Sequence, residues 1–486
     1  MKPLTVAEQS DYRATSRHAD VLAFIEELKA VRPVFRVESM GKSGRGQEMP
    51  VLVFGERPGK PVVLVIANIH AGEVEGKEAL LMLARDLPGN YFEQLTLLFI
   101  PNYNPDGNDL IDPKNRALDL KNLEGQIGPE GGVGTRYTGE GINLNRDYMK
   151  MEAVESRNLS KLQAKWRPHL TVDSHTTDGS VHGYALTYDT SHIPCAPSKY
   201  VHSKMLPDVS RRLEKRTGLK TFFYGNFVDE ADPSKGWATY PHLPRYGSHY
   251  RGLTGRMDIL LETYSYISFK DRVFTTYEIL KDIFDYTIEH GAEMMKICAD
   301  GEAARPDPVA VAYGPPRLIG DCEILAWDME SQLARKIPGR EPKTYRMPHL
   351  AEFVPSKTVP RPAAYLVPKA CKPVIDKLEH HGIRLDRLTA SRSFDVDVDQ
   401  VLTVSKAPSP DCGSMKREET VVTVTRAAGR ITAEAGDVLV PADQTLGTLA
   451  AYLLEPESDD GLVRWGFLDG AIRPGERLPI VRVTRA

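Results

Sequence analysis

The segment Pro61–Glu78, which reads PVVLVIANIHAGEVEGKE, constrains the fold of this chain more than any other stretch. Its first nine residues are mostly apolar and rich in Val and Ile, which is typical of a strand buried on both faces. The strand ends at His70, Gly72 permits a sharp turn, and a helical pattern begins directly after Glu73. A histidine and a carboxylate at such a strand-to-helix turn can point at one atom. This pair suits Zn²⁺, which binds imidazole nitrogen and carboxylate oxygen.

The spacing of His70 and Glu73 also occurs elsewhere in the chain, at His290–Glu293 and His349–Glu352. Those two pairs lie in a helical stretch and near a Pro-rich region, where a solvated surface explains them. In α/β proteins, ligand sites form at the carboxyl ends of strands. The sequence therefore favours His70–Glu73 as the metal-binding pair.

Composition describes a globular protein of two or three domains: 486 residues, 41% hydrophobic and 26% charged. The net charge of −4 favours neither nucleic acid nor an anionic membrane as a partner. The N-terminus resembles no signal peptide, and no apolar run is long enough to span a membrane. We therefore expect a cytoplasmic protein, or a periplasmic or secreted one if the N-terminus has been processed. The cysteines are scattered and form no CxxC pair, which argues against a thiolate zinc site or a disulfide framework.

Strands and helices alternate through the first 300 residues. This order predicts an α/β fold with a mixed, mostly parallel central sheet flanked by helices. A Gly-rich loop of roughly forty residues follows the strand at Leu95–Pro101, and loops of that length usually carry function. We expect a catalytic domain over residues 1–300, a Pro- and Gly-rich linker over 301–316, and a smaller β-rich α+β domain of unassigned role over 317–486.

Three predicted strand ends carry groups that suit catalysis: His70 with Glu73, His175, and Glu262. Two histidines and one glutamate leave the fourth zinc position open for water, as in catalytic zinc sites. A second carboxylate, Glu262, is placed to take the proton of that water. Taken singly, His175 could be a buried histidine paired with Asp173, and Glu262 a strand-end salt bridge.

Five motifs in this order resemble those of the carboxypeptidase A-like zinc peptidases. They are HAGE at His70–Glu73, NPDG at Asn104–Gly107, LNR at Leu144–Arg146, SH at Ser174–His175, and the strand-terminal Glu262. The resemblance covers residues 18–298 and implies one zinc ion per chain, held by His70, Glu73 and His175. It also implies hydrolysis of a C-terminal peptide bond by a metal-activated water, with Glu262 as general base and then acid.

The same resemblance assigns residues that contact the substrate. Asn145 and Arg146 would hold its terminal carboxylate, and arginine pairs with carboxylates through two parallel hydrogen bonds. Arg136, nine residues before Asn145, would polarise the scissile carbonyl. Arg116 is the alternative.

One position departs from the family pattern. Relatives usually carry an aspartate two residues before the Asn-Arg pair, where it orients a zinc-bound histidine, and this chain carries Asn143. Its amide oxygen can still accept the imidazole N–H, but without charge. We therefore expect a weaker site, since such partners change metal affinity by about 10- to 100-fold.

The family's mobile tyrosine has three candidates, Tyr240, Tyr246 and Tyr250, and we predict Tyr250 because it lies closest to the Glu262 strand. The same stretch is basic, which favours an acidic side chain or an extra carboxylate on the substrate, and the alternative is that these charges are solvated in a loop. Its basic residues are Arg245, His249, Arg251 and Arg256.

The substrate we expect is a peptide or small amide with a free carboxylate. Two other functions compete with C-terminal hydrolysis: a zinc deacylase of small N-acyl amino acids, and a non-catalytic peptide-binding relative. The NPDG and LNR motifs favour the peptidase, and the presence of every ligand and of the base disfavours the binding protein.

Overall fold

A large mixed sheet lies at the centre of the protein, seen here in a computed structural model that describes residues 2–32, 35–327, 341–409 and 418–485. The strands before residue 300 are β1 (Phe35–Lys42), β2 (Glu48–Phe54), β3 (Val62–Ala67), β4 (Thr96–Ile100), β5 (Leu170–Thr176), β6 (Leu186–Asp189), β7 (Thr221–Phe223), β8 (Asn226–Phe227), β9 (Trp237–Ala238) and β10 (Met257–Thr263). Eight of them form the central sheet, in the order β1-β2-β4-β3-β5-β10-β6-β7. Its inner strands β4, β3, β5 and β10 are parallel. The predicted mixed α/β sheet is confirmed.

The helices flank this sheet and the later strands. They are α1 (Val6–Gln9), α2 (His18–Val31), α3 (Glu75–Asp86), α4 (Gly89–Gln94), α5 (Pro105–Asn108), α6 (Val154–Trp166), α7 (Ala196–Tyr200), α8 (Leu206–Thr217), α9 (Gly247–Leu253), α10 (Phe269–Ala303), α11 (Lys372–His380) and α12 (Gly447–Leu454). A π turn at Val201–Met205 joins α7 to α8, and short 3₁₀ turns occur at Leu144–Arg146, Pro233–Lys235 and Asp469–Ala471. Within the described ranges, no helix is both long and apolar enough to cross a membrane.

Strand β3 is buried on both faces, which explains its continuous apolar run. Val63 and Val65 pack into the cluster that contains α3 and α10, whereas Leu64 and Ile66 point into the cluster on the opposite face. Successive strand residues face opposite sides of a sheet, so an inner strand covered by helices needs apolar residues at every position. Each fully buried Val or Leu contributes about 1.5–3 kcal/mol.

The C-terminal part of the chain is rich in strands, as predicted, and it packs against the central sheet. Its strands are β11 (Val309–Tyr313), β12 (Arg317–Ala326), β13 (Lys343–Glu352), β14 (Pro355–Val359), β15 (Ala364–Val367), β16 (Asp386–Arg387), β17 (Arg392–Pro408), β18 (Glu418–Ala433), β19 (Val438–Pro441) and β20 (Val481–Arg485). A six-stranded sheet has the order β16-β19-β15-β20-β17-β18. The cluster on one face of β3 continues into α11 and α12.

Several element bounds differ from the predicted ones. Helix α10 ends at Ala303, and β11 begins at Val309, inside the stretch predicted as a linker. A four-stranded sheet of order β12-β13-β9-β8 joins strands from before and after that stretch. Strand β18 continues from Glu418 to Ala433, because it pairs with β17 along its whole length.

Candidate metal centre and substrate pocket

Three adjacent parallel strands bring the predicted site residues to one edge of the central sheet. Strand β5 lies between β3 and β10, with Ala67 beside Ser174 and His175 beside Glu262. The carboxyl ends of these strands therefore meet. His70 and Glu73 follow β3 in the turn that leads into α3.

The side chains of His70, Glu73 and His175 converge on one point. The Nδ1 atoms of the two histidines lie 3.3 Å apart. Glu73 Oε1 lies 3.0 Å from His70 Nδ1, and Glu73 Oε2 lies 2.9 Å from His175 Nδ1. One ligand atom from each residue falls within 4.8 Å of the others, and all three residues are buried.

The outer nitrogens of both imidazoles face acceptors, which directs Nδ1 toward the common point. Asn143 Oδ1 lies 3.1 Å from His70 Nε2, so the amide oxygen accepts this N–H as predicted. Asp173 Oδ1 lies 3.3 Å from His175 Nε2. When a ring is neutral, an Nε2–H that faces such an acceptor leaves the Nδ1 lone pair pointing inward, and second partners of this kind are typical of metal-binding histidines. Two imidazoles and one carboxylate form a ligand set that fits Zn²⁺.

The electrostatics of this group favour a positive charge where its atoms meet. Burial lowers the pKa of His70 to about 3 and keeps that ring neutral. Burial also opposes the charged forms of His175 and Glu73. The carboxylates of Asp173 and Glu73 nevertheless hold the pKa of His175 well above its usual value. The two imidazoles and Arg116 hold the pKa of Glu73 well below its usual value.

Glu262 and the metal-binding group open into one cavity of about 430 Å³. Burial, opposed in part by His175, raises the pKa of Glu262 to about 8, and the neighbouring Glu73 and Asp178 contribute to the rise. A carboxyl group whose pKa lies near the working pH is suited to accept and return a proton.

Both candidate arginines reach Glu73, but they differ in what else they contact. Arg116 Nη1 lies 3.1 Å and Arg136 Nη1 3.2 Å from Glu73 Oε1. Arg116 is also tied to Asp178, at 2.9 Å, and to Gln126, at 2.9 Å, and its side chain is 11% exposed. Arg136 is 30% exposed and lines the cavity. Only Arg136 of this pair faces the space where a substrate would lie.

The Asn145–Arg146 pair also lines the cavity, and it lies in a 3₁₀ turn. Asn145 Oδ1 accepts a hydrogen bond of 3.0 Å from the backbone N–H of Gly247. The guanidinium carbon of Arg146 lies 4.3 Å from the centre of the Tyr246 ring. Arg146 Nη1 also donates to the backbone carbonyl of Asn145 at 2.8 Å, and a guanidinium that lies against an aromatic face directs its N–H groups within its own plane.

Sequence comparison identifies the domain that contains these residues. The zinc carboxypeptidase family profile matches residues 21–184, which include His70, Glu73, Asn145, Arg146 and His175. The chain contains a zinc carboxypeptidase domain. It is therefore a metallocarboxypeptidase, a hydrolase of peptide bonds.

Curated relatives and solved structures are similar to this metallocarboxypeptidase. Carboxypeptidase 2 of Trichophyton tonsurans is 23% identical over 489 residues, covering 91% of this chain and 81% of that protein. Human carboxypeptidase Z is 28% identical over 163 residues, or 30% of this chain and 23% of that protein. A putative carboxypeptidase structure from Burkholderia mallei superposes with a TM-score of 0.43 at 17% identity, covering 56% of this chain and 68% of that one. The assignment rests on the sequence matches.

Tyr250 of the carboxypeptidase lies outside the cavity, contrary to the prediction. Its side chain is buried, and its hydroxyl lies 2.9 Å from His381 Nδ1, which directly follows α11 in the C-terminal region. Tyr240 and Tyr246 line the cavity instead. Proximity in sequence to the Glu262 strand was misleading, because Tyr250 lies within α9 and its hydrogen-bond partner is 131 residues further along the chain.

The four basic residues before Glu262 are not solvated and do not line the cavity. Arg251 is paired with Asp258 and Asp173, and Arg256 with Glu302. The ring of His249 stacks on His242 and Tyr240. Arg245 is buried between carboxylates of the C-terminal region. The expectation of an acidic substrate side chain, which rested on this stretch, has no support from its position.

The sequence indicated Asp173 only as a partner of a buried, non-catalytic His175, and Tyr246 only as one of three candidates for the mobile tyrosine. Asp173 precedes His175 by two positions on β5, and residues at this spacing share one face of a strand. That periodicity was a usable signal. For Tyr246 no local pattern exists, because its position depends on Arg146, one hundred residues earlier in the chain.

Proposed function

We propose that the protein hydrolyses the C-terminal peptide bond of peptides and uses one zinc ion bound by His70, Glu73 and His175. The observation that carries this proposal is the convergence of the two Nδ1 atoms and the Glu73 carboxylate within 4.8 Å. Zinc held by such ligands supplies a Lewis acid that acidifies water and polarises a carbonyl group.

Glu262 serves as the general base and then the general acid. It borders the same cavity as the three ligands, and burial raises its pKa to about 8. Glu262 takes a proton from the attacking water and returns it to the leaving amine. Groups that transfer protons in this way contribute about 10²- to 10⁴-fold to the rate.

Arg136 stabilises the negative charge that develops on the scissile carbonyl oxygen. Its guanidinium is fixed by Glu73 at 3.2 Å and still borders the cavity. Donors that are already oriented stabilise a developing oxyanion without reorganisation. Arg116, which is tied to Asp178 and Gln126, holds Glu73 in place instead.

Asn145 and Arg146 bind the terminal carboxylate of the substrate, and this contact selects the chain end. Arg146 is positioned by the face of Tyr246, and Asn145 by the N–H of Gly247. Asn145 Nδ2 and the guanidinium then form a donor surface that matches the two oxygens of a carboxylate.

The proposal is tested with zinc-loaded protein and a peptide library read by mass spectrometry. The library contains each peptide with a free and with an amidated C-terminus, beside a set of N-acyl amino acids. We expect single-residue removal from free C-termini, loss of turnover on chelation, and about one zinc per chain in elemental analysis. Turnover confined to N-acyl amino acids, or equal cleavage of amidated peptides, would contradict it.

A further inference from the structure

One buried arginine connects the substrate cavity with the C-terminal region. Arg245 Nε donates to Asp460 Oδ1 at 3.0 Å, and Nη1 donates to Glu419 Oε1 at 2.9 Å. The backbone N–H of Arg245 donates to the other oxygen of Asp460. The exposed fractions of the three side chains are 2%, 0% and 4%. A guanidinium buried between two carboxylates keeps one orientation, because every other one leaves a charge unpaired.

The acceptors of Arg245 are themselves fixed by neighbours in the C-terminal region. Trp465 Nε1 donates to Asp460 Oδ1 at 2.8 Å, and Arg464 Nε donates to Glu419 Oε2 at 2.7 Å. The Trp465 ring also lies under the guanidinium, with its centre 4.5 Å from the Arg245 Cζ atom. Arg245 is therefore held by buried groups that are themselves fixed by hydrogen bonds and by the Trp465 ring, unlike an arginine in an exposed ion pair.

The two residues that follow Arg245 hold the pair proposed to bind the substrate. Tyr246 packs on Arg146, with 4.3 Å from its ring centre to the guanidinium carbon. Gly247 donates its N–H to Asn145 Oδ1 at 3.0 Å. A Cβ atom at Gly247 would lie only 2.9 Å from the Tyr148 ring, so this backbone is already in close contact with its surroundings. A displacement of Arg245 therefore also displaces Tyr246 and Gly247, and with them Asn145 and Arg146.

We propose that Glu419 and Asp460 are positioning residues of the peptidase and act through Arg245 to orient Asn145 and Arg146. The C-terminal region thus supports the wall of the substrate cavity from outside. A second contact supports the same coupling: His381 binds the Tyr250 hydroxyl of α9 at 2.9 Å. The inference rests on the proposed function, because it takes Asn145 and Arg146 as the carboxylate-binding pair.

The test measures steady-state kinetics of Arg245→Met, Glu419→Gln and Asp460→Asn. The substrate is an N-blocked dipeptide with a free C-terminus, and its C-terminal amide is the comparison. We expect KM for the free acid to rise about tenfold, with kcat changed by less than about threefold. The carboxylate contact stabilises the bound substrate and the transition state equally, so its loss weakens binding and leaves the chemical step unchanged. The preference for acid over amide is expected to fall by the same factor, with zinc content unchanged.

A matched control separates positioning from general stability. Arg426 donates to Asp399 at 2.8 Å and to Glu455 at 3.0 Å, and none of these three residues borders the described cavity. Arg426→Met should lower the melting temperature and leave KM unchanged. A folded Arg245→Met variant with the KM of wild type would overturn the inference, and so would an equal KM rise in Arg426→Met.

If Arg245→Met does not fold, Glu419→Gln and Asp460→Asn still test the inference. Each of these two variants preserves the shape of the side chain and removes one negative charge. An unchanged KM in both folded conservative variants would then overturn the inference. A wild-type enzyme without preference for the free acid would refute the proposed function itself. A wild-type preference that all three variants retain would refute only the positioning role.

Discussion

Replacing Asn143 by alanine tests how strongly zinc binding depends on the hydrogen bond between the His70 ring and the neutral amide of Asn143. Asn143 Oδ1 lies 3.1 Å from Nε2 of the buried His70, and it also accepts the N–H of Asn145 at 3.1 Å. The alanine variant removes both contacts and leaves the His70 N–H without this acceptor. The ring is then free to rotate or to change tautomer, which takes Nδ1 away from the metal.

The expected magnitude follows from these contacts. Leaving a buried donor unpaired costs about 1–3 kcal/mol. Partners of metal-binding histidines change affinity by about 10- to 100-fold, which is about 1.4–2.7 kcal/mol. Asn143→Asp should act in the opposite direction. A hydrogen bond to a charged acceptor is worth about 1 kcal/mol more than a neutral one, and this equals about fivefold tighter zinc binding.

The assay is competition for zinc between the protein and a chromophoric chelator. We expect affinity to decrease in the order Asp, Asn, Ala at position 143. Asn102→Ala is the control, because Asn102 lies 3.1 Å from Nδ1 of His18, a histidine outside the proposed metal centre. The reasoning is refuted if Asn143→Ala binds zinc like wild type, or if Asn102→Ala weakens zinc binding equally.

Three further predictions concern the base, the tyrosine and the buried histidines. Glu262→Gln should keep its zinc in elemental analysis while kcat falls by about 10²- to 10⁴-fold, because the variant cannot accept a proton. Tyr250→Phe should cost about 0.5–1.5 kcal/mol in the free energy of unfolding, since it loses the bond to His381, and leave kcat near that of wild type. Burial lowers the pKa of both His242 and His381 to about 3. The unfolded chain binds these protons near pH 6.5 and the folded chain does not, so stability should fall between pH 6.5 and about 3. At pH 5 the loss is about 2 kcal/mol per histidine, measurable by denaturant unfolding.

Each of these predictions has an outcome that contradicts it. Turnover by Glu262→Gln close to that of wild type would mean that another group is the base. A kcat loss in Tyr250→Phe above about tenfold, with the fold intact, would return this tyrosine to the reaction. His242→Phe should flatten the fall in stability between pH 6.5 and 5. An unchanged slope would show that His242 binds its proton equally in both states.

Local spacing along the chain was enough to identify the buried strand before His70, the helix after Glu73 and the ends of β5 and β10. These features depend on side-chain periodicity over a few residues, which any window of the sequence contains. The family resemblance implied that His70, Glu73 and His175 share one site, and in the structure they converge because β3, β5 and β10 are parallel neighbours that end at the same edge of the sheet.

Contacts between distant segments decided the rest. Arg136, and not Arg116, faces the cavity because Asp178 and Gln126 hold the other guanidinium. Tyr246 replaces Tyr250 at the cavity wall because His381 binds Tyr250 from across the fold. The sequence indicates only that Arg245 is a charged residue in a loop, yet its hydrogen-bond acceptors lie 174 and 215 residues away along the chain. Only packing of the whole chain brings such partners together, since no periodicity of a few residues carries that information.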